Sequence, residues 1–393
     1  MVRGLGGLGL VGCVLGPWWA VAPAAADPIV NRDYAIELYE GVAIGDGTQT
    51  GMGGAGAARV TGSAGTLVNP SAPAVRGSTD TDHWSWDYHL ELLTGRYSSD
   101  YDNNGVATPD GGGASLATAG LSLRYGDWAV GVTATAQTAP VDGSTPPVDA
   151  QTLRGKVVVA RYFSGADLAV GLGVQTVLFE LRPTMEQAPA LFEISGAGAV
   201  AGATWLPRQE NFRAGLALES RILGGQVTTE SCDPMSCQGY ILPDSVESPG
   251  RVIVGGAYRW GPTAWNQLVH QEFRDEPSLT LASDLVVTGT SIKGNGIESF
   301  GQQQLQRSGR RMSVSIRAGA EYELLPGRLR VRAGSYWEPG RFDDVGGRIH
   351  GTLGFDVRAL EFHLWGLRRG RLGGTADLAS RYRNLGVSIG FWH

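Results

Sequence analysis

The chain has 393 residues, and its 38 Asp and Glu outnumber 32 Lys and Arg, for a net charge of −6 at pH 7. An acidic chain without a basic tail is excluded as a nucleic-acid binder and has no charge-driven attraction to anionic lipid. Lysine occurs only at Lys156 and Lys293, so the cations are almost all arginine.

The first element is a targeting segment. Met1-Val2-Arg3 is a short positive start, residues 4–22 are apolar and uncharged, and Ala24-Ala25-Ala26 precedes Asp27. This pattern predicts a cleaved secretory signal over 1–26. The competing lipoprotein box, Leu10-Val11-Gly12-Cys13, would leave only a short leader and a greasy Trp18-Trp19 tail after the cut.

Next comes a glycine-rich stretch, "GMGGAGAARVTGSAGTLVNPSAP", from Gly51 to Pro73. Gly51-x-Gly53-x-x-Gly56 matches a dinucleotide-binding pattern, but its context fails. Asp46–Thr50 is polar rather than a strand, Gly62 and Gly65 argue against a long helix, and no acid stands between Asp46 and Asp80 to hold a ribose. An exported chain also has no routine access to NAD, so no cofactor is expected. A flexible linker is the plain alternative. Against it, Val60, Leu67 and Val68 are apolar, and the stretch ends in a defined Asn69-Pro70 turn.

After residue 81 the pattern changes to period two. In "HWSWDYHLEL", Trp84, Trp86, Tyr88, Leu90 and Leu92 share one face, with His83, Ser85, Asp87, His89 and Glu91 on the other. "RLRVRAGSYW" sets Leu329, Val331 and Ala333 against Arg328, Arg330 and Arg332. Uncharged stretches such as Ile194–Pro207 are too short to cross hydrocarbon as a helix, which needs about 20 residues. Spanning strands must close on themselves. Strands are predicted at 82–95, 115–125, 127–138, 151–163, 167–181, 193–206, 210–224, 250–260, 279–291, 311–323, 327–338, 347–356, 358–369 and 383–392. Their connections mostly alternate long and short, as in outer-membrane barrels with short periplasmic turns and longer external loops. The connection 261–278 breaks this rule and is predicted to be an insertion, an extra hairpin or a periplasmic helix.

The sequence therefore predicts an all-β protein, a transmembrane antiparallel β-barrel of about 14 strands. Its divisions are a signal at 1–26, an N-terminal segment at 27–81 and a barrel at 82–393.

Within the long 225–249 connection, Cys232 and Cys237 can pair, since export permits a disulfide; two free thiols are the alternative. No His or further Cys lies near enough in sequence for a zinc site. "DYDNNG" at 100–105 begins like a calcium loop, but Gly111 stands where the twelfth-position Glu belongs, so no metal is expected. The histidines form no metal or nucleophile signature, and His89 with Glu91 reads as a hydrogen-bonded pair inside the wall. Arg317, Arg328, Arg330 and Arg332, with Glu321 and Glu323, form a charged inner strip. It either pairs internally or receives an anionic headgroup.

The stretch 51–73 resembles the N-terminal hatch of the FadL-type outer-membrane transporters, in which a glycine-rich run ending in Asn-Pro-Ala precedes the first strand. Here the run ends Asn69-Pro70-Ser71. "LPDSVESPGRVIVGGAYRW", "SLTLASDLVVTGTS" with Asp284, and "RAGAEYELLPGRLRVRAGSYWEPG" are similar to later segments of the family, in the same order. The resemblance implies a fourteen-strand barrel in a bacterial outer membrane, with 27–81 as a lumenal hatch. Gly51, Gly53, Gly54, Gly56, Asn69 and Pro70 would be its gate residues. It implies passive uptake of hydrophobic or amphipathic molecules such as long-chain fatty acids, without catalysis. The expected partners are that ligand, outer-membrane lipid and the barrel-assembly machinery. The alternatives are a scaffold or assembly barrel without transport, and an outer-membrane hydrolase.

Overall fold

The computed structural model describes residues 27–38, 46–77, 79–96, 100, 102–105, 113–141, 143–185, 189–229, 232–269, 273–343, 345–363 and 367–392. The expected signal, 1–26, lies outside them.

Fourteen antiparallel strands close into one barrel. In chain order they are β1 (Trp84–Arg96), β2 (Gly113–Tyr125), β3 (Trp128–Val141), β4 (Val148–Phe163), β5 (Leu168–Pro183), β6 (Phe192–Trp205) and β7 (Phe212–Glu219). The circuit continues with β8 (Arg251–Trp260), β9 (Leu279–Thr288), β10 (Ser313–Leu325), β11 (Leu329–Glu338), β12 (Arg348–His363), β13 (Leu367–Ala379) and β14 (Tyr382–Phe391). Each pairs with its neighbour in sequence, and β14 pairs with β1.

Alternation decides the two faces. Leu121, Val130, Val157, Leu172, Leu216, Val254, Ile316 and Val387 point outward and are exposed. Beside the short turns this aliphatic belt gives way to exposed rings, Trp84, Tyr125, Trp128, Trp205, Tyr258, Trp260 and Tyr322. Such a surface has no favourable solvent except lipid, and the rings form the girdle expected at a membrane interface. No helix among the described residues is long and apolar enough to cross a membrane.

Two strand assignments need correction. The expected turn between 347–356 and 358–369 does not exist. The chain runs on as β12 through a register shift at Arg358/Leu360, and the glycine-bearing 367–379 forms the next strand. Val357-Arg358 has no turn former, whereas Gly370, Gly373 and Gly374 masked a strand that neighbours on both sides hold in register. The strand expected over 210–224 leaves the wall at Glu219. Beyond it, Ile222–Leu223 pairs with Ser245–Ser248 in a small sheet that also contains Ala35–Glu37 and Gly294–Asn295. As a result β6 and β7 share only the register Val200↔Glu219 to Trp205↔Ala214. Ile222 fills the gap above it, packed on Gly196 and Gly198.

At the long-loop rim, residues 27–38, the 220–250 connection and the 289–312 connection form one apolar cluster. Tyr34, Phe179, Leu181, Tyr240, Leu242 and Phe300 are fully buried in it. Cys232 and Cys237 are disulfide-bonded there, with Cα atoms 5.1 Å apart, and Cys237 belongs to the cluster.

Candidate functional site: the lumen and its inner segment

Residues 46–77 fold inside the barrel as short turns, a five-residue helix α1 (Gly47–Gly51), a four-residue helix α2 (Gly62–Gly65) and a single turn at Ala72–Ala74. Asp46 caps α1 by accepting the Gln49 amide at 3.0 Å. Longer helices are ruled out by the glycines, two of which, Gly53 and Gly54, have φ of +63° and +75°. A side chain there would be strained wherever it pointed. Met52, Ala55, Ala57 and Ala72 are 0 % exposed, so the segment fills the lumen.

Small residues occur on both sides of this contact. A Cβ on wall residue Gly171 would lie 2.0 Å from the Pro70 carbonyl oxygen; on Gly202, 2.1 Å from Asn69 Oδ1; on Gly215, 2.1 Å from the Ala57 oxygen. On the opposite wall, Gly319 and Gly334 give the same room to Met52 and Gly53, at 2.3 Å each. Gly51 packs its backbone on Gly354. These wall glycines sit at inward positions of β5, β6, β7, β10, β11 and β12. The sequence signal was present in the alternation, but small inward residues could not be matched to a partner without the fold.

Polar anchors are few and specific. Asn69 donates to the Ala57 oxygen at 2.7 Å and to Thr204 Oγ1 at 3.2 Å, and accepts from Ser71 at 2.8 Å. Gly56 and Ala57 donate their amides to Asp284 Oδ2 at 2.7 and 2.9 Å. Asp87 Oδ2 accepts the Ser63 amide at 2.6 Å and its hydroxyl at 2.9 Å. Thr352 Oγ1 accepts from Gly53 at 2.9 Å.

The arginine strip is built into a ladder of charge. Arg332 pairs with Glu321 and Asp356, both at 2.6 Å; Arg371 pairs with Asp356 at 3.0 Å and with Asp46 of the inner segment at 2.8 Å. Arg59 reaches Glu321 at 3.6 Å. Burial pulls the Arg59 guanidinium down from its ordinary range, and Glu321 opposes that pull. Arg330 pairs with Glu323 at 2.7 Å and stacks on Trp392. Arg317 is buried opposite Asp284 in the β9–β10 register. Arg328 lies apart, exposed in the turn before β11. His89 meets Ser63 Oγ at 3.1 Å rather than Glu91, whose carboxylate is buried at 2 % exposure.

Among the described residues, cavities border the inner segment on two sides. One, of about 100 Å³, separates α1 from the charged ladder. The other, of about 480 Å³, opens on the short-turn side between the segment, β1, β2, β13 and the chain's last residues. Phe273, Arg274 and Asp275 of the 261–278 connection line its far side. This connection contains neither a hairpin nor a helix among its described residues. It is a strap tied to the wall by Asn266 to Pro207 and Phe212, by Arg259 to Glu276, and by Arg369 to Asp275 at 2.6 Å.

No family model matches the sequence, and no curated protein matches it. Solved structures do. A Pseudomonas aeruginosa FadL homologue superposes with TM-score 0.50 at 15 % identity, over 88 % of this chain and 96 % of that one. The monoaromatic hydrocarbon channel CymD gives TM-score 0.55 at 13 % identity over 88 % and 96 %. The Ralstonia pickettii toluene transporter TbuX gives 0.53 at 13 % over 88 % and 97 %. The chain has the FadL-type fold. The FadL-type barrel is that of a bacterial outer-membrane protein.

Proposed function

We propose that the protein is a passive outer-membrane channel for hydrophobic or amphipathic small molecules, long-chain fatty acids among them. In this reading 46–77 is its hatch, and Gly51, Gly53, Gly54, Gly56, Asn69 and Pro70 are the residues that let the hatch seat. The observation that carries this reading is the backbone-on-backbone seating against wall glycines. A filling held by shape and a few ionic anchors can shift as a body, whereas a core of interlocked side chains cannot. Its relatives in fold include a monoaromatic hydrocarbon channel and a toluene transporter, which supports a hydrophobic cargo. No chemical step is required.

Deleting residues 47–73 tests this. The strands bond among themselves and lose no ladder bonds, so the barrel should still close, and conductance in planar bilayers should rise from a closed baseline to a steady open level. An unchanged baseline would show that the segment is not the plug. Uptake of a hydrophobic tracer by cells carrying only this barrel, lost in Gly54→Trp, separates a transporter from a scaffold.

A further inference from the structure

The chain is acidic as a whole, but one stretch of the long-loop rim is basic. Between Gly289 and Met312, the connection from β9 to β10, stand four cations, Lys293, Arg307, Arg310 and Arg311, and one acid, Glu298. Glu298 is buried and accepts a hydrogen bond from Asn104 at 2.7 Å, which leaves the exposed face of the connection basic. The connection doubles back on itself. The Ser308 amide donates to the Gly294 oxygen at 3.0 Å and the Ser291 amide to the Gly309 oxygen at 2.8 Å, so the cations share one narrow ribbon. Lys293 pairs with Asp33, and Arg310 with Asp343 at 2.8 Å, every partner well exposed. Such pairs are worth little in water and yield to a stronger anion. Arg311 is exposed and makes no ion pair among the described residues. Directly below it begins the outward column of β10, Met312, Val314 and Ile316, with Leu285 beside Ile316. Ile292 on the ribbon is 75 % exposed and Met312 70 %, so nothing in the chain covers this corner. The opposite flank of the rim has the other sign: Glu180 faces Glu193 across β5 and β6, and Arg182 there is bonded to Glu180 at 2.6 Å.

We propose that this corner of the rim docks a lipid of the external leaflet that carries a phosphomonoester headgroup. Arg310 and Arg311 hold the phosphate, and Ile292, Met312, Val314 and Ile316 lie along the acyl chains. A guanidinium fork matches a phosphate in two parallel hydrogen bonds. Basic residues clustered where an apolar span meets water draw anionic lipid to that point. The net charge of −6 does not oppose this, because charges farther off than a Debye length, about 10 Å at 0.1 M salt, are screened and only the local surplus counts. A free phosphate ion meets the arginines but gains nothing from the apolar column beneath them, and this commits the site to a lipid. The inference needs the outer-membrane location and not the hatch.

The test uses the full chain in a neutral detergent, titrated with bisphosphorylated lipid A, with the same lipid stripped of its phosphates, and with inorganic phosphate, and read by native mass spectrometry. The phosphorylated lipid should be retained, the stripped lipid at least tenfold less, and excess inorganic phosphate should not displace it. The double variant Arg310→Gln with Arg311→Gln should weaken retention about 10- to 100-fold, the scale of charge-assisted hydrogen bonds, and leave the stripped lipid unchanged. Arg383→Gln is the matched control: Arg383 is equally exposed at the same rim, at the start of β14, and should have no effect. A photoreactive group on an acyl chain should cross-link to the peptide holding Met312 and Val314. Equal retention of both lipids, displacement by phosphate alone, an equal loss in Arg383→Gln, cross-links to another flank, or no effect of the double variant in a barrel that keeps its heat-modifiable mobility would each overturn the assignment. So would a dimer that forms without lipid and is lost in the double variant, since the corner would then belong to a second copy of the chain.

Discussion

At the scale of residues, the contact between filling and wall is made of missing side chains. Gly202→Leu should therefore be more damaging than a usual overpacking change, which costs about 1–3 kcal/mol. Its first side-chain atom already meets Asn69 Oδ1 at 2.1 Å, so the inner segment must unseat rather than adjust. We expect the variant barrel to fold and to conduct, and bilayer recordings at the parent's baseline would contradict this. Asp284→Asn keeps the volume but removes the charge that two amides share. It should loosen the seat by about 1–2 kcal/mol, seen as brief openings rather than a permanent pore. The glycines at 51–56 and the Asn69-Pro70 turn were legible in the sequence as a compact, turn-ended element. Asp87 and Asp284 as anchors were not, because an acid at an inward strand position looks the same whether it meets water or an amide. The arginine strip read as either a paired ladder or a headgroup site; Arg330 and Arg332 have carboxylate partners from neighbouring strands, and register alone reveals those.

At the scale of elements, period two was sufficient for most of the wall. It failed where other forces set the boundary. β7 stops at Glu219 because the chain turns inward to the small sheet, although "SRIL" continues to look extended. β13 forms despite its glycines because β12 and β14 hold it from both sides. The strap was visible only as an interruption of loop lengths. Its side-chain ties reach β7, β8 and β13, a distance in sequence that no local pattern reports. Breaking one tie is informative. Arg369→Ala removes the ion pair to Asp275 and the stacking on Phe273, and a thiol placed at Trp392 should then be labelled several times faster from the periplasmic side. Equal labelling rates would show that the strap does not shield the cavity it lines.

At the scale of the whole molecule, barrel closure and strand number follow from alternation and loop length, and both were legible. The cap at the long-loop rim was not. Its apolar residues come from the N-terminal segment, from two connections and from the rim ends of β3 to β6, and only their convergence makes a core. The Cys232–Cys237 bond closes a very small ring, so its entropic contribution is about 2 kcal/mol. Cys232→Ser with Cys237→Ser should leave the barrel's melting unchanged while exposing Tyr240 and its neighbours to external protease; a matching fall in barrel melting would place the bond's effect in the wall.

The wall is also uneven. β4 and β5 have 16 residues each and β7 has 8. With about 3.4 Å per residue and a tilt near 40°, these reach heights of about 41 Å and about 21 Å. The apolar band of such barrels is about 25 Å tall, so one flank overtops the bilayer while the other falls short of it. Lipid beside the short flank has to compress or tilt, at a fraction of a kcal/mol per Å of mismatch. A spin label on Leu218, near the upper end of β7, should accordingly respond to a water-soluble relaxant, where a flat collar of lipid would shield it; the protein floats with a dip in the membrane on one side.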